Sequence, residues 1–299
     1  MANTRELRRR IKSVKNTAQI TKAMQMVAAS RMKRAQNQAL SGRPYSFNLS
    51  SALERLLPLV HPEAHVLLKG NEAKNTGVVL LSTDKGLCGA LNTNLFRFLS
   101  TSGLLTADTI FYTVGKKGRN FVAKSGKDLQ ADFENVDTVS FRQAVQLAKL
   151  LTDAFLAGEI KEVYIVYPGF VSTLRQEPVK VKILPIDLAS VILNVSEGSD
   201  SKRDSSLIAQ NDKKSEFLFE PDPDKLLDYI LLHSVRIRIY QALLETKASE
   251  QSARMMAMQN ATDNALELVD DLKLTYNQTR QDAITKELLE ITTASLAMT

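Results

Sequence analysis

Apolar residues recur every seventh position through the last quarter of the chain. Ile230, Ile237, Leu244, Met258, Ala265 and Leu272 keep this step, with Gln251 the one polar member. Three or four places along, Ala248, Met255, Val269 and Tyr276 supply the second position of a heptad, the pattern of a coiled-coil seam. At the other end Leu7, Ile11, Val14, Ala18, Thr21, Gln25, Ala28, Met32, Ala35 and Ala39 step by four and three without a slip. Every Gly and Pro lies between Gly42 and Pro223, so both ends lack helix interrupters and read as long helices. At 1.5 Å per residue, a helix from Asp224 to Thr299 would span roughly 110 Å. The two seams predict an antiparallel hairpin. Their Ala, Met, Thr and Gln members bury little apolar area, which makes it slender. The same pattern fits a helical hairpin used for dimerisation.

Between the ends the pattern changes. A helix from about Thr4 to Leu40 is expected to kink or break at Gly42 and Pro44, and a helical stretch from Ser46 to Leu57 to stop at Pro58. Val78–Leu81, Thr109–Val114, Leu129–Phe133, Glu162–Tyr167 and Pro178–Ile186 read as strands. Leu91–Leu99, a short segment after Arg119, and Phe141–Ala157 with Ser140 as cap read as helices. Strand and helix in alternation predict an α/β domain with a largely parallel sheet. The expected organisation is an N-terminal coiled-coil helix (1–57), a central α/β domain (75–190), a flexible Ser-, Asp- and Lys-rich loop (191–216) and a C-terminal coiled-coil helix (217–299). Phe217–Phe219 could add an edge strand.

Charge adds one fact. The net charge is +6, yet the residues up to Arg43 alone carry +10, and those from Asp224 onward carry −3. Basicity thus belongs to one helix, and the hairpin pairs opposite charges, although exposed pairs contribute only about 0–1 kcal/mol each. The basic helix also allows a nucleic-acid-binding reading, against which stand its lack of aromatics before Tyr45 and the spread of its charges over several faces. No apolar run reaches membrane-spanning length and no secretory signal is visible, so a soluble or peripheral protein is expected.

Candidate chemistry is sparse. Cys88 is alone, which excludes an intrachain disulfide, a dithiol switch and a Cys-based zinc site. His61, His65 and His233 are not spaced as metal ligands; surface or capping roles suit them. Two glycine loops, Lys85-Gly86-Leu87-Cys88-Gly89 and Gly115-Lys116-Lys117-Gly118-Arg119, follow strands where an open α/β sheet binds nucleotides. Neither has phosphate-binding spacing, and tight turns into helices are the better reading. No catalytic arrangement and no cofactor site is found. A flavodoxin-like enzyme with a helical oligomerisation hairpin is a third reading. From Ile291 to Thr299 there is no charge, which suits insertion into an apolar sleeve or a frayed end.

Several stretches resemble a known family. Ile11-Lys12-Ser13-Val14-Lys15-Asn16-Thr17 and Ile20-Thr21-Lys22-Ala23-Met24-Gln25-Met26-Val27-Ala28-Ala29-Ser30 closely resemble the N-terminal helix of the gamma subunits of F-type ATP synthases. The same holds for Asp84-Lys85-Gly86-Leu87-Cys88-Gly89-Ala90-Leu91-Asn92, Ser249-Glu250-Gln251-Ser252-Ala253-Arg254-Met255, Ala261-Thr262-Asp263-Asn264 and Ile284-Thr285-Lys286-Glu287-Leu288-Leu289-Glu290-Ile291. The resemblance covers nearly the whole chain in order. The family often carries Glu in place of Gln25 and Lys in place of Gln259. With Cys88 alone, the thiol switch of the plastid form should be lacking.

The resemblance implies a Rossmann-like central domain and a non-catalytic rotor. The coiled coil would turn inside a ring of three alpha and three beta subunits, with catalysis in the beta subunits. The base would sit on epsilon and a membrane ring of c subunits, driven by proton flow at the cytoplasmic face of a bacterial plasma membrane. Membrane association would come only through the complex, and no nucleic acid would be bound. Lys22, Met24 and Gln25 on one helix, and Arg254, Gln259, Arg280, Gln281, Thr285 and Glu287 on the other, would face the ring. Met24, outside the seam, should point outward or across toward the Arg254–Thr262 level. Leu288, Ile291 and Leu296 would form the bearing tip.

Overall fold

The computed structural model describes residues 4–56, 65–186 and 223–297. The expected loop, the possible strand at Phe217–Phe219 and His61 fall outside these residues. The elements are α1 (Thr4–Leu56), α2 (Val66–Lys69), β1 (Asn75–Leu81), α3 (Leu91–Thr101), β2 (Thr109–Val114), α4 (Lys116–Lys124), β3 (Asp128–Phe133), α5 (Phe141–Leu156), β4 (Ile160–Phe170), β5 (Gln176–Leu184) and α6 (Pro223–Ala297). They form two compact units. One holds the residues up to 31, 87–89 and 251 onward; the other holds 32–86 and 90–250.

The larger unit is a three-layer α/β module. Its sheet runs β3-β2-β1-β4-β5, with β3, β2, β1 and β4 parallel and β5 antiparallel to β4. β1 is central, and alternate residues feed opposite cores. Val78 and Leu80 meet Leu95, Leu99, Phe111 and Val122 beneath α3 and α4. Val79 and Leu81 meet Leu147, Leu151 and Phe155 of α5, with Leu231, Val235 and Ile239 of α6 in the same core. Burial on both faces explains why β1 reads as an unbroken apolar run.

Local chemistry sets the boundaries. Ser140 caps α5, its hydroxyl accepting from the Gln143 N–H at 3.4 Å. His65 caps the short α2, its Nδ1 accepting from the Leu67 N–H at 3.1 Å. Its Nε2 lies 2.5 Å from Asp228 Oδ1. A capping role for His65 was one of the readings its sequence allowed.

One boundary differs from expectation. The break at Gly42 and Pro44 does not occur, because α1 runs through Pro44 to Leu56. Proline removes one helical hydrogen bond. Contacts on both sides outweigh that loss. Gln38 donates to the Tyr240 hydroxyl at 2.8 Å, Tyr45 pairs with His233 Nε2 at 2.7 Å, and Ala39 and Leu49 pack on the core.

Candidate functional site

The smaller unit is the predicted helical hairpin, and its seam follows the heptads. In α1, Leu7, Ile11, Val14, Ala18, Thr21, Gln25 and Ala28 are all buried or half-buried. In α6 the same is true of Gln251, Met255, Met258, Ala265, Val269, Leu272 and Tyr276, and of Thr262, which completes the second heptad position. Most neighbouring positions are exposed. Three contacts fix the antiparallel register. Arg8 Nη2 donates to the Tyr276 hydroxyl at 3.1 Å, the Thr21 and Thr262 hydroxyls share a 2.7 Å hydrogen bond, and Gln25 Nε2 donates to Gln259 Oε1 at 3.4 Å. At this level the hairpin joins two neutral amides.

The sequence-derived ring-facing residues divide by exposure. Lys22, Gln259, Arg280, Gln281, Thr285 and Glu287 are exposed, and Gln25 is half-buried through its bond to Gln259. Met24 is half-buried. Arg254 is only 8% exposed, so most of its surface is covered within the chain itself. Heptad counting names the seam but misses such covered flanking positions.

Past Tyr276 and the half-buried Thr279, every described side chain from Arg280 to Ala294 is exposed. Within this stretch Ile284, Leu288 and Ile291 lie one helical turn apart along one face, with 50%, 57% and 61% of their surfaces open. Leu288 and Ile291 thus occupy the expected tip, while the side chain of Leu296 lies outside the described ones. About 22 Å of helix here has an apolar stripe and no covering in its own unit.

The Gly115–Arg119 loop has a packing role. At the start of α4, the Lys116 N–H donates to Asp84 Oδ1 at 2.8 Å, the Lys117 N–H to the Thr83 carbonyl at 3.0 Å and the Gly118 N–H to Ser82 Oγ at 2.7 Å. These are the donors that a phosphate would need, and the β1 loop has taken them. Gly115 has φ 101°, and a Cβ there would lie 2.4 Å from the Ser82 carbonyl oxygen. Gly115 and Gly118 therefore serve close packing of α4 on β1. Among the described residues no cluster of three or more His, Cys, Asp or Glu is placed to hold a metal ion, and no helix is long and apolar enough to cross a membrane.

The ATP synthase family model matches residues 3–298. The ATP synthase gamma chain of Methylacidiphilum infernorum is 43% identical over 303 residues, covering 100% of both chains. That of Opitutus terrae is 41% identical over 300 residues, covering 99% of each. Among solved structures, one from the central stalk and c-ring of Tetrahymena thermophila mitochondrial ATP synthase has a TM-score of 0.58 at 25% identity, covering 81% of this chain and 99% of that one. One from the rotor of Euglena gracilis mitochondrial ATP synthase has a TM-score of 0.63 at 21% identity, covering 94% and 98%, a likeness of fold. The slender hairpin, the bare helical tip and the α/β module thus occur together in a chain that belongs to the ATP synthase gamma-chain family.

Proposed function

We propose that this chain is the central rotor shaft of a rotary F-type ATP synthase. It couples proton flow through a membrane ring of c subunits to conformational cycling of catalytic beta subunits. The observation that carries this reading is the tip of α6, where a long helix presents Ile284, Leu288 and Ile291 with nothing in its own unit to cover them. A chain that orders such a helix has a sleeve for it elsewhere. In this reading the sleeve is the ring of alpha and beta subunits, and the α/β module stands on epsilon and the c ring.

The chain itself does no bond chemistry; catalysis lies in the beta subunits. Its work is differential contact. A shaft drives a conformational cycle only if it binds one beta conformation better than another at each angle. Lys22, Gln259, Arg280, Gln281, Thr285 and Glu287 are the exposed residues that would make those contacts, with Gln25 and Met24 at their edge. The exposed basic residues of α1 support an acidic partner surface. The location is the cytoplasmic face of a bacterial plasma membrane, peripheral and held through the complex.

Affinity purification of the tagged chain from its own cells tests this. Stoichiometric recovery of alpha, beta, epsilon and c subunits with ATPase activity is the expected result. Recovery of the chain alone, or with nucleic acid, would contradict it.

A further inference from the structure

We infer that a buried polar ring formed by Lys247, Glu250 and Asn135 locks the rotation of α6 against the α/β module and carries torque between them; this rests on the rotor reading above. Open α/β sheets usually leave a crevice beyond the carboxyl ends of their strands, at the point where strand order reverses, and ligands bind there. With strand order β3-β2-β1-β4, that point lies beside β1. Here the end of β1 is engaged from within. The Ser82 carbonyl accepts from Asn135 Nδ2 at 2.8 Å, and Asn135 lies in the loop between β3 and α5. The same Nδ2 reaches Glu250 Oε2 at 3.2 Å.

Lys247 closes the ring. Its Nζ donates to Glu250 Oε2 at 3.2 Å and to Asn135 Oδ1 at 3.5 Å, with Asp137 Oδ1 at 3.9 Å. Lys247 and Glu250 are 5% and 4% exposed, and Thr246, Ala248 and Ser249 between and beside them are buried as well. So this turn of α6 is buried, and its two charges meet each other and the loop between β3 and α5.

Stability alone does not account for this arrangement. Apolar side chains of similar volume often replace a buried ion pair at no cost, because desolvation offsets the Coulombic gain. What the ring adds is direction. Apolar packing resists separation of helix and sheet, but it is non-directional and sets the angle of a helix about its own axis less sharply than directional bonds do. Hydrogen bonds of fixed geometry resist that turning. Rotating α6 here breaks the links through Asn135 to Ser82 together. The helix then continues without interruption from Glu250 into the hairpin segment.

The test uses the complex reconstituted in sealed vesicles, reading ATP hydrolysis and ATP-driven proton pumping together. The variant K247M/E250M removes both charges and should still fold. Asn135→Leu cuts the same link from the sheet side without touching α6. For both we expect hydrolysis to persist, the ratio of pumping to hydrolysis to fall, and amide exchange over 134–139 to speed by at least about tenfold. Asn135→Ser should lie between these variants and the parent. Faster exchange with an unchanged ratio would overturn the torque role. Unchanged exchange would overturn the lock itself. If the parent chain incorporates no coupled activity at all, the rotor reading fails, and this inference with it.

Discussion

Thr21 and Thr262 stand 241 residues apart in the chain, and their hydroxyl oxygens are 2.7 Å apart across the hairpin seam. Each also reaches a carbonyl of its own helix, Thr21 that of Ala18 at 3.0 Å and Thr262 that of Met258 at 2.8 Å. A hydroxyl has one proton, so one threonine donates across the seam while the other donates back along its helix. In a seam with Ala18, Ala28 and Ala265, apolar packing discriminates poorly between registers. This polar pair discriminates well, in the way a buried polar residue sets register in coiled coils.

Replacing both partners should cost less than the two single replacements added together. Thr262→Val alone leaves Thr21 without its cross-seam bond and is expected to lower stability by about 0.5–1.5 kcal/mol. The double variant T21V/T262V should cost clearly less than the sum of the two single variants, since two apolar groups of the same shape then meet. Urea denaturation of the four proteins measures the coupling; additive effects would contradict it.

Ser82 is the hub at the end of β1. Its hydroxyl lies 3.1 Å from both the Val114 and Gly115 carbonyls and accepts from the Gly118 N–H. Ser82→Ala leaves that buried N–H unpaired and should destabilise the α/β module by about 1–3 kcal/mol. Gly115→Ala should cost more, because a Cβ would meet the Ser82 carbonyl and the backbone sits at positive φ. Thermal melting gives both values. Equal melting temperatures for Gly115→Ala and the parent would refute the packing role of this loop.

Acid stability should depend on one strand pair. Lys182 Nζ donates to Glu162 Oε1 at 2.8 Å, and the Tyr164 hydroxyl donates to Glu162 Oε2 at 2.7 Å. The hydrogen bond from Lys182 is the main cause that holds the Glu162 carboxyl below its ordinary value of 4.5. A lowered carboxylate pKa contributes stability that is present above 4.5 and lost as pH falls through the folded-state value. Lys182→Ala should therefore melt below the parent at neutral pH, with the gap narrowing as the pH falls below the carboxylate range. A gap independent of pH would show that the pair acts only by packing.

Much of this molecule is written in local patterns. Each α1 seam position from Leu7 to Ala39 is buried or half-buried, because a heptad step needs no tertiary information. β2 and the Ser140 cap were legible for the same reason. Pro44 was not, since its cost is offset by Tyr45, Gln38 and Leu49, whose partners lie far along the chain. The covering of Arg254 was also hidden, because heptad counting does not report burial outside the seam. Asn135 carries no motif at all. Its role appears only when the β3–α5 loop meets α6.

The tip separates folding from function. Leu288 and Ile291 are exposed, so Leu288→Ser and Ile291→Ser should leave the stability of the isolated chain within about 0.5 kcal/mol of the parent. In the assembled complex the same variants should loosen the seating of the shaft and lower its torque, read as a lower stall load in a rotation assay. A large loss of stability in the isolated chain would mean that the stripe packs within the chain after all.

Rotation is the central claim, and it is directly observable. A cysteine placed at the exposed Ser100 of α3 can carry a bead, while the lone native Cys88 is buried and out of reach of the label. With the alpha–beta ring fixed to glass and ATP supplied, the account predicts that the bead turns steadily in one direction, pausing at three positions per turn. A ring that hydrolyses ATP while the bead only jitters about one angle would contradict it.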